Sequence, residues 1–186
     1  VVPLGITSYL RGLTDQCQSF PTHKAKQIIE DSLKIKIEDV FEGFEEQPLA
    51  AASLAQVHRA RIKNTSEKVV VKVLRPGIHK KVRRNVRVMR AGGFLLKIFY
   101  KESERLRLKD VIDDYERTIF KELDLKVEAA NTTVTKKNFD NSDLLFIPKV
   151  FWDQTTVNVL TLEEIDGIGC TDVDSMNELG IDRKIL

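Results

Sequence analysis

The chain has 186 residues, 42% of them hydrophobic and 31% charged, with 30 basic and 28 acidic side chains and a formal charge of +2. This is the composition of a folded unit with enough length for one sizeable core or two small ones, and it excludes a disordered chain. The near balance of charge speaks against a nucleic-acid footprint and against an acidic tail.

Residues 1–46 read as a polar-rich helical lead-in: after Pro21, with Thr22 as N-cap, Ala25, Ile28, Ile29 and Leu33 recur at helical spacing. From Gln47 the pattern changes. Pro48 leads into small residues and then two β-like runs, 54–62 and 69–74, joined by Lys63-Asn64-Thr65-Ser66-Glu67 as a hairpin. Arg75-Pro76-Gly77 ends the second run, because proline cannot continue a ladder and glycine admits the turn. A helix follows, with Ile78, Val82, Val86, Met89, Gly93 and Leu96 three or four apart and Gly92-Gly93 as a point of interruption. Its most apolar part, Ala91 to Tyr100, falls well short of the ~20 residues of a membrane span. A second helix is expected over 109–136, with Ile112, Tyr115, Ile119, Ala129 and Ala130 facing a core. Two more strands, 144–151 and 156–162, flank Asp153-Gln154-Thr155, and Asp166-Gly167 closes the second.

Strands grouped in hairpins with helices between them predict an α+β fold on an antiparallel sheet rather than a doubly wound parallel one. The expected division is a helical extension over 1–46, a lobe over 47–166 and a connector over 167–186. The chain opens on Val1 without an initiator Met or signal-peptide pattern and ends at Leu186 within a helix-like stretch, so it reads as a piece cut at both ends.

Lys72 lies in Val69-Val70-Val71-Lys72-Val73-Leu74, an almost continuous β-branched run, and period two puts it beside Val70 and Leu74. If that strand is covered on both faces, the ammonium needs a carboxylate or an anionic ligand to offset its desolvation. If it is an edge strand, the lysine can snorkel to water. The strand alone weighs these two readings equally.

On the second long helix Glu122 follows Tyr115 by seven and Ile119 by three, a carboxylate on a stripe that otherwise reads as buried. Asp124 and Glu128 are four apart, a like-charge arrangement that wants a nearby cation or water. Residue by residue, a solvated face with a Glu122 to Lys126 pair is the favoured reading. Ala50, Ala51, Ala52 and Ser53 precede the first long strand with small side chains but no glycine, and no GxxxxGK phosphate loop occurs anywhere.

Other features take plainer readings. Cys17 and Cys170 have no CxxC or Cys/His spacing, which predicts neither a disulfide framework nor a zinc site and fits a reducing compartment. Lys80-Lys81-Val82-Arg83-Arg84 reads as the solvated face of an amphipathic helix rather than a nucleic-acid or lipid-headgroup site. His23, His58 and His79 lack metal-ligand spacing; His58, inside a strand, is expected to be packed or hydrogen-bonded, and Trp152 to sit in a core or at its rim. No metal site is expected.

Four segments in order resemble motifs of the UbiB family of ubiquinone-biosynthesis kinase-like proteins: Pro48 to Ala60, Val70 to Ile78, Glu122-Leu123-Asp124, and Glu128-Ala129-Ala130-Asn131. The resemblance covers nearly the whole chain, through Leu162-Glu163-Glu164-Ile165-Asp166-Gly167, and is nearer to bacterial than to animal members. It implies a protein-kinase-like N-lobe that binds ATP or ADP with Mg2+, the metal ligands lying in a C-lobe. By this resemblance Ala50, Ala51, Ala52 and Ser53 form an alanine-rich loop in place of a glycine-rich one, and Lys72 is the strand lysine with Glu128 as its preferred helix partner. Glu122 and Asp124 match a regulatory ExD motif that engages a lysine of an upstream KxGQ motif, an assignment exchangeable with that of Glu128. Glu163, Glu164 and Ile165 fall in the hinge that meets adenine.

No KxGQ motif is present, and the chain stops before an HxDxxxxN-type catalytic loop and a DFG-type aspartate, so this piece alone is expected not to catalyse. The functional expectation is the nucleotide-binding lobe of an atypical kinase or ATPase supporting ubiquinone biosynthesis. The alternative is a non-catalytic nucleotide- or lipid-binding regulatory module. Expected partners are nucleotide, quinone-biosynthesis proteins or lipid precursors, not nucleic acid, with a cytoplasmic location at the inner membrane through parts absent here.

Overall fold

A computed structural model describes residues 18–99, 107–140, 142, 145–168 and 172–180. In chain order the elements are helix α1 (Thr22–Leu33), the single turn α2 (Ile37–Val40), strands β1 (Phe41–Glu42), β2 (Ala50–Ala51), β3 (Ala55–Ile62) and β4 (Lys68–Leu74). Helices α3 (Ile78–Phe99), α4 (Leu108–Glu122) and α5 (Leu125–Asn138) follow, then strand β5 (Val159–Glu163) and the short helix α6 (Val173–Glu178).

β3 and β4 form the expected antiparallel hairpin, with Val57 opposite Lys72 and His58 opposite Val71. β5 joins the free side of β4 antiparallel, Leu160 opposite Lys72, while β1 and β2 both pair with the outer edge of β3. β4 is therefore internal, which settles the edge-strand alternative for Lys72.

Period two divides the sheet into unlike faces. One carries Ala60, Ile62, Val69, Val71, Val73 and Val159 and is covered by Phe20, Ala25, Ile29 and Ile37 from the lead-in and by Phe41 of β1. The other carries Ala55, Leu74 and Leu160, and it packs against Ile78, Val82 and Val86 of α3, Ile112 of α4, and Leu125 and Ala129 of α5. On this second face Val57, Val70, Lys72 and Leu162 are only half-buried.

Several expectations are corrected. The helix expected over 109–136 is two helices, broken at Leu123-Asp124: Leu123 is fully buried and Asp124 starts α5 by accepting a hydrogen bond from the Lys126 amide. The break resets the helical phase, so Glu122, Tyr115 and Ala130 are exposed where one continuous stripe would have buried them. Of the strand expected over 144–151, residues 145–149 run irregularly and Val150 makes a lone bridge to Leu162, so that stretch is no full strand; residue 144 lies outside the described residues. The strand expected over 156–162 is β5, shifted to Val159–Glu163.

The lead-in is not wholly helical. Residues 1–17 lie outside the described residues, and Phe41–Glu42 belongs to the sheet. Thr22 is the first helical residue rather than the cap, its hydroxyl donating to the Glu46 carbonyl. Gly92-Gly93 does not interrupt α3: a Cβ at Gly93 would meet Ile112 Cδ1 at 3.4 Å, so glycine there lets α4 approach closely. Cys17 and Cys170 lie outside the described residues.

Candidate nucleotide-type site

Lys72 Nζ donates to both carboxylate oxygens of Glu128, at 2.8 and 2.7 Å. Three local causes aim the carboxylate. Asp124 caps α5, the Leu125 amide donates to the Val157 carbonyl at 3.0 Å, and Leu125 and Ala129 are buried against Leu160. Glu128, three residues after Leu125 and one before Ala129, is then carried to the edge of the buried stripe beside β4. Both side chains keep about a third or more of their surface, 33% for Lys72 and 42% for Glu128. The pair is thus open to solvent on one side, and its net stabilisation is modest, up to about 1 kcal/mol. Position, not stability, is what the contact supplies.

Ala50 pairs with Val57, Val57 with Lys72 and Lys72 with Leu160, so one row of side chains crosses four strands on a single face. Ala50 and Lys72 are two strands apart, roughly 10 Å at the usual strand spacing. Ala50–Ala51 is itself the short strand β2, and the turn after it closes with the Ala52 amide donating to the Ala55 carbonyl at 2.8 Å. None of residues 50–53 has positive φ, so this turn asks for no glycine.

Glu122 and Asp124 do not reach this row. Glu122 ends α4 on its exposed side, and Asp124 is the cap of α5. At the far end of β5 the Glu163 amide donates to the Lys149 carbonyl and the Glu164 amide to the Lys68 carbonyl, so both are occupied within the fold. Glu164 also accepts from Arg59 Nε at 2.6 Å. Ile165, 51% exposed, is the hinge position that faces outward.

Behind the row, on the opposite face, Gln56 and His58 are fully buried. The Phe20 amide donates to Gln56 Oε1 at 3.1 Å, which turns the Gln56 amide nitrogen towards His58 Nε2 at 2.8 Å; His58 Nδ1 lies 2.9 Å from the Glu45 carbonyl. These roles are consistent only with a neutral ring protonated at Nδ1, since Nε2 must accept. Burial lowers the His58 pKa below its ordinary value, against the opposing pull of the Glu45 carbonyl. Phe44 stacks on the ring at 4.8 Å. Sequence reasoning foresaw a packed histidine but not the chain of bonds joining it to the lead-in. It also missed Arg75, read only as a strand end, whose side chain bonds to the Ala52 carbonyl.

Lys80, Lys81, Arg83 and Arg84 are exposed while Ile78, Val82 and Val86 turn inward, the solvated helix face expected. Trp152 opens a short 3-10 turn and is half exposed, at a rim. A groove of about 650 Å³ between α3 and α4 is lined by Gly93, Phe94, Leu108 and Ile112 and includes none of the row residues. Among the described residues no group of three or more His, Cys, Asp or Glu is arranged to hold a metal ion, and no helix is long and apolar enough to cross a membrane.

An antiparallel sheet with a lysine on an internal strand, held by a carboxylate of a packed helix, is the N-lobe arrangement of a protein-kinase-like protein. The profile of the ABC1 atypical kinase-like domain matches residues 12–186, and the chain belongs to that family. It is 41% identical over its whole length to a probable protein kinase UbiB of Marinobacter nauticus and 39% identical to one of Azotobacter vinelandii. In each case it spans 34% of the relative's length. Among solved structures it resembles Rv3197 of Mycobacterium tuberculosis, determined in complex with erythromycin, with a TM-score of 0.69 at 27% identity over 80% of this chain and 37% of that one.

Proposed function

We propose that the chain is the ATP- or ADP-binding lobe of an atypical kinase-like ATPase or phosphotransferase that supports ubiquinone biosynthesis. The observation that carries this reading is the Lys72 to Glu128 pair on the half-open sheet face, in one row with Ala50. Lys72 has a third of its surface free while its ammonium is already oriented, which suits an anionic ligand arriving from the open side. In this reading Lys72 binds nucleotide phosphates and Glu128 fixes its direction. Ala50, Ala51, Ala52 and Ser53 border the phosphates, and the stretch Glu163, Glu164 and Ile165 borders the base, with Ile165 the outward-facing position. Glu122 and Asp124 serve the junction between α4 and α5, with a regulatory part through a lysine outside this chain.

Magnesium would arrive with the nucleotide. No ligand for it is assigned among the described residues, which lack a cluster of the required kind. Membrane association, at the inner membrane from the cytoplasmic side, belongs in this reading to parts of the whole protein outside the chain. A purely regulatory module, binding nucleotide or a lipid-like precursor without phosphoryl transfer, would use the same lysine and carboxylate and differ in forming no ADP.

The test is titration of the full-length protein with ATP and ADP in the presence of magnesium, for wild type and Lys72→Ala. Weaker binding of both nucleotides by the variant is the expected result. Unchanged affinity would remove the site, and ADP release from ATP separates enzyme from regulatory module.

A further inference from the structure

Arg75 makes more hydrogen bonds across the fold than a strand terminator needs. Its Nε and Nη2 donate to the Ala52 carbonyl at 3.0 and 2.9 Å, and Nη2 also donates to the Gln18 carbonyl at 2.9 Å. Its own amide donates to the Leu54 carbonyl at 2.8 Å, and its guanidinium carbon lies 5.8 Å from the centre of the Phe20 ring. One residue thus fastens two carbonyls of the turn that follows β2 and a carbonyl of the lead-in.

The turn has little else to hold it. β2 contributes two residue pairs to the sheet, against seven between β3 and β4. Arg75, by contrast, follows directly on β4, three residues beyond Lys72, and that strand is paired on both sides. The fork and the ammonium are therefore carried by the same rigid element. A guanidinium can grip one carbonyl with two nitrogens and still reach a second acceptor, whereas an ammonium on a flexible stem cannot fix that geometry.

We propose that Arg75 is a positioning residue that sets the distance between the alanine turn and Lys72, and through it the discrimination between ATP and ADP. This rests on the nucleotide-site reading above. Arg75 does not touch the nucleotide. It holds the Ala52 carbonyl, and with it the backbone of residues 50–53, at one height over the lysine, so that nucleotides with different numbers of phosphates meet a turn that cannot adjust.

The experiment measures magnesium-dependent ATP and ADP affinities of the full-length protein in wild type, Arg75→Met, Arg75→Lys and Lys72→Ala, with thermal melting of each. Arg75→Met is expected to change the ratio of the two affinities by about threefold or more, equivalent to a shift of a few tenths of a kcal/mol upward. Arg75→Lys should shift the ratio in the same direction by less. A merely structural role would lower the melting temperature and weaken both nucleotides equally, leaving the ratio in place. A ratio unchanged in Arg75→Met while Lys72→Ala loses binding overturns the Arg75 assignment and spares the nucleotide site. Unchanged affinities in both variants overturn both. Should Arg75→Met fail to fold, Arg75→Lys decides alone, an unchanged ratio again overturning the assignment.

Discussion

Glu128 meets Lys72 from 56 residues downstream with both of its carboxylate oxygens, 2.8 and 2.7 Å from the ammonium. Because both side chains are half open, the contact is an oriented pair rather than a buried bridge. Removing either member is expected to cost about 0.5–1 kcal/mol of stability, far less than breaking a buried pair. In nucleotide binding the two are expected to act as one unit. Lys72→Ala should weaken ATP binding on the order of tenfold, Glu128→Gln by less, and the double variant no more than Lys72→Ala, a coupling that a double-mutant cycle measures directly.

Asp124 lies four residues from Glu128 but has a different task, capping α5 through the Lys126 amide. Asp124→Ala is expected to destabilise the lobe by about 1 kcal/mol, and Asp124→Asn, which still accepts, by much less. Denaturant melts of the two variants make the comparison. Near-equal losses would show that the charge, not the cap, is what the fold uses.

Alanine in the turn costs no backbone strain, since residues 50–53 all have negative φ. Ala51→Gly should therefore destabilise by about 0.5–1 kcal/mol through added freedom in the unfolded chain. It should also loosen the turn enough to alter the preference between ATP and ADP. Equilibrium unfolding and paired nucleotide titrations supply the two readouts; identical preference in the glycine variant would mean that this backbone does not border the phosphates.

Acid should loosen the attachment of the lead-in. His58 is held neutral with its pKa below the ordinary 6.5, so the unfolded chain takes up a proton first as pH falls. Its contribution is complete above about pH 6.5 and is lost as pH falls from there towards the lowered folded value. Protonation would set two donors, His58 Nε2 and the Gln56 amide, against each other, with Glu45, Glu46 and Lys26 as the charged groups that act on the ring. Urea unfolding between pH 7.5 and pH 5.5, ordinary assay values of about neutral to mildly acid, should show a stability slope in wild type that is reduced in His58→Gln. Equal slopes would assign the acid sensitivity to other groups.

The hairpin of β3 and β4 was legible because alternation, the Lys63 to Glu67 connection and Arg75-Pro76-Gly77 all point the same way. So was Lys72 as a charge in an apolar strand, although the identity of its partner was not: Asp124, Glu122 and Glu128 share one stretch, and only the break at Leu123 decides which of them turns inward. That break carries neither glycine nor proline. It arises because Leu123 is buried and Asp124 can cap, a tertiary preference that overrides the continuous helical pattern. Residues 145–149 have strand-like composition but run irregularly beside β5, which bonds to them at only a few points. Arg75 was invisible for another reason, since its acceptors are carbonyls, which any residue has.

The bond from the Leu125 amide to the Val157 carbonyl fastens α5 at its first residue, and this makes the helix a lever with its fulcrum at one end. Glu128 is three residues from that fulcrum, about 4.5 Å along the axis, whereas Asn138 is thirteen residues away, about 20 Å. Any swing is therefore divided by roughly four before it reaches the carboxylate. A tilt that carries the distal end through about 8 Å moves Glu128 by about 2 Å, within the reach of a flexible lysine. The far end of α5 can follow whatever packs on it while the grip on Lys72 persists.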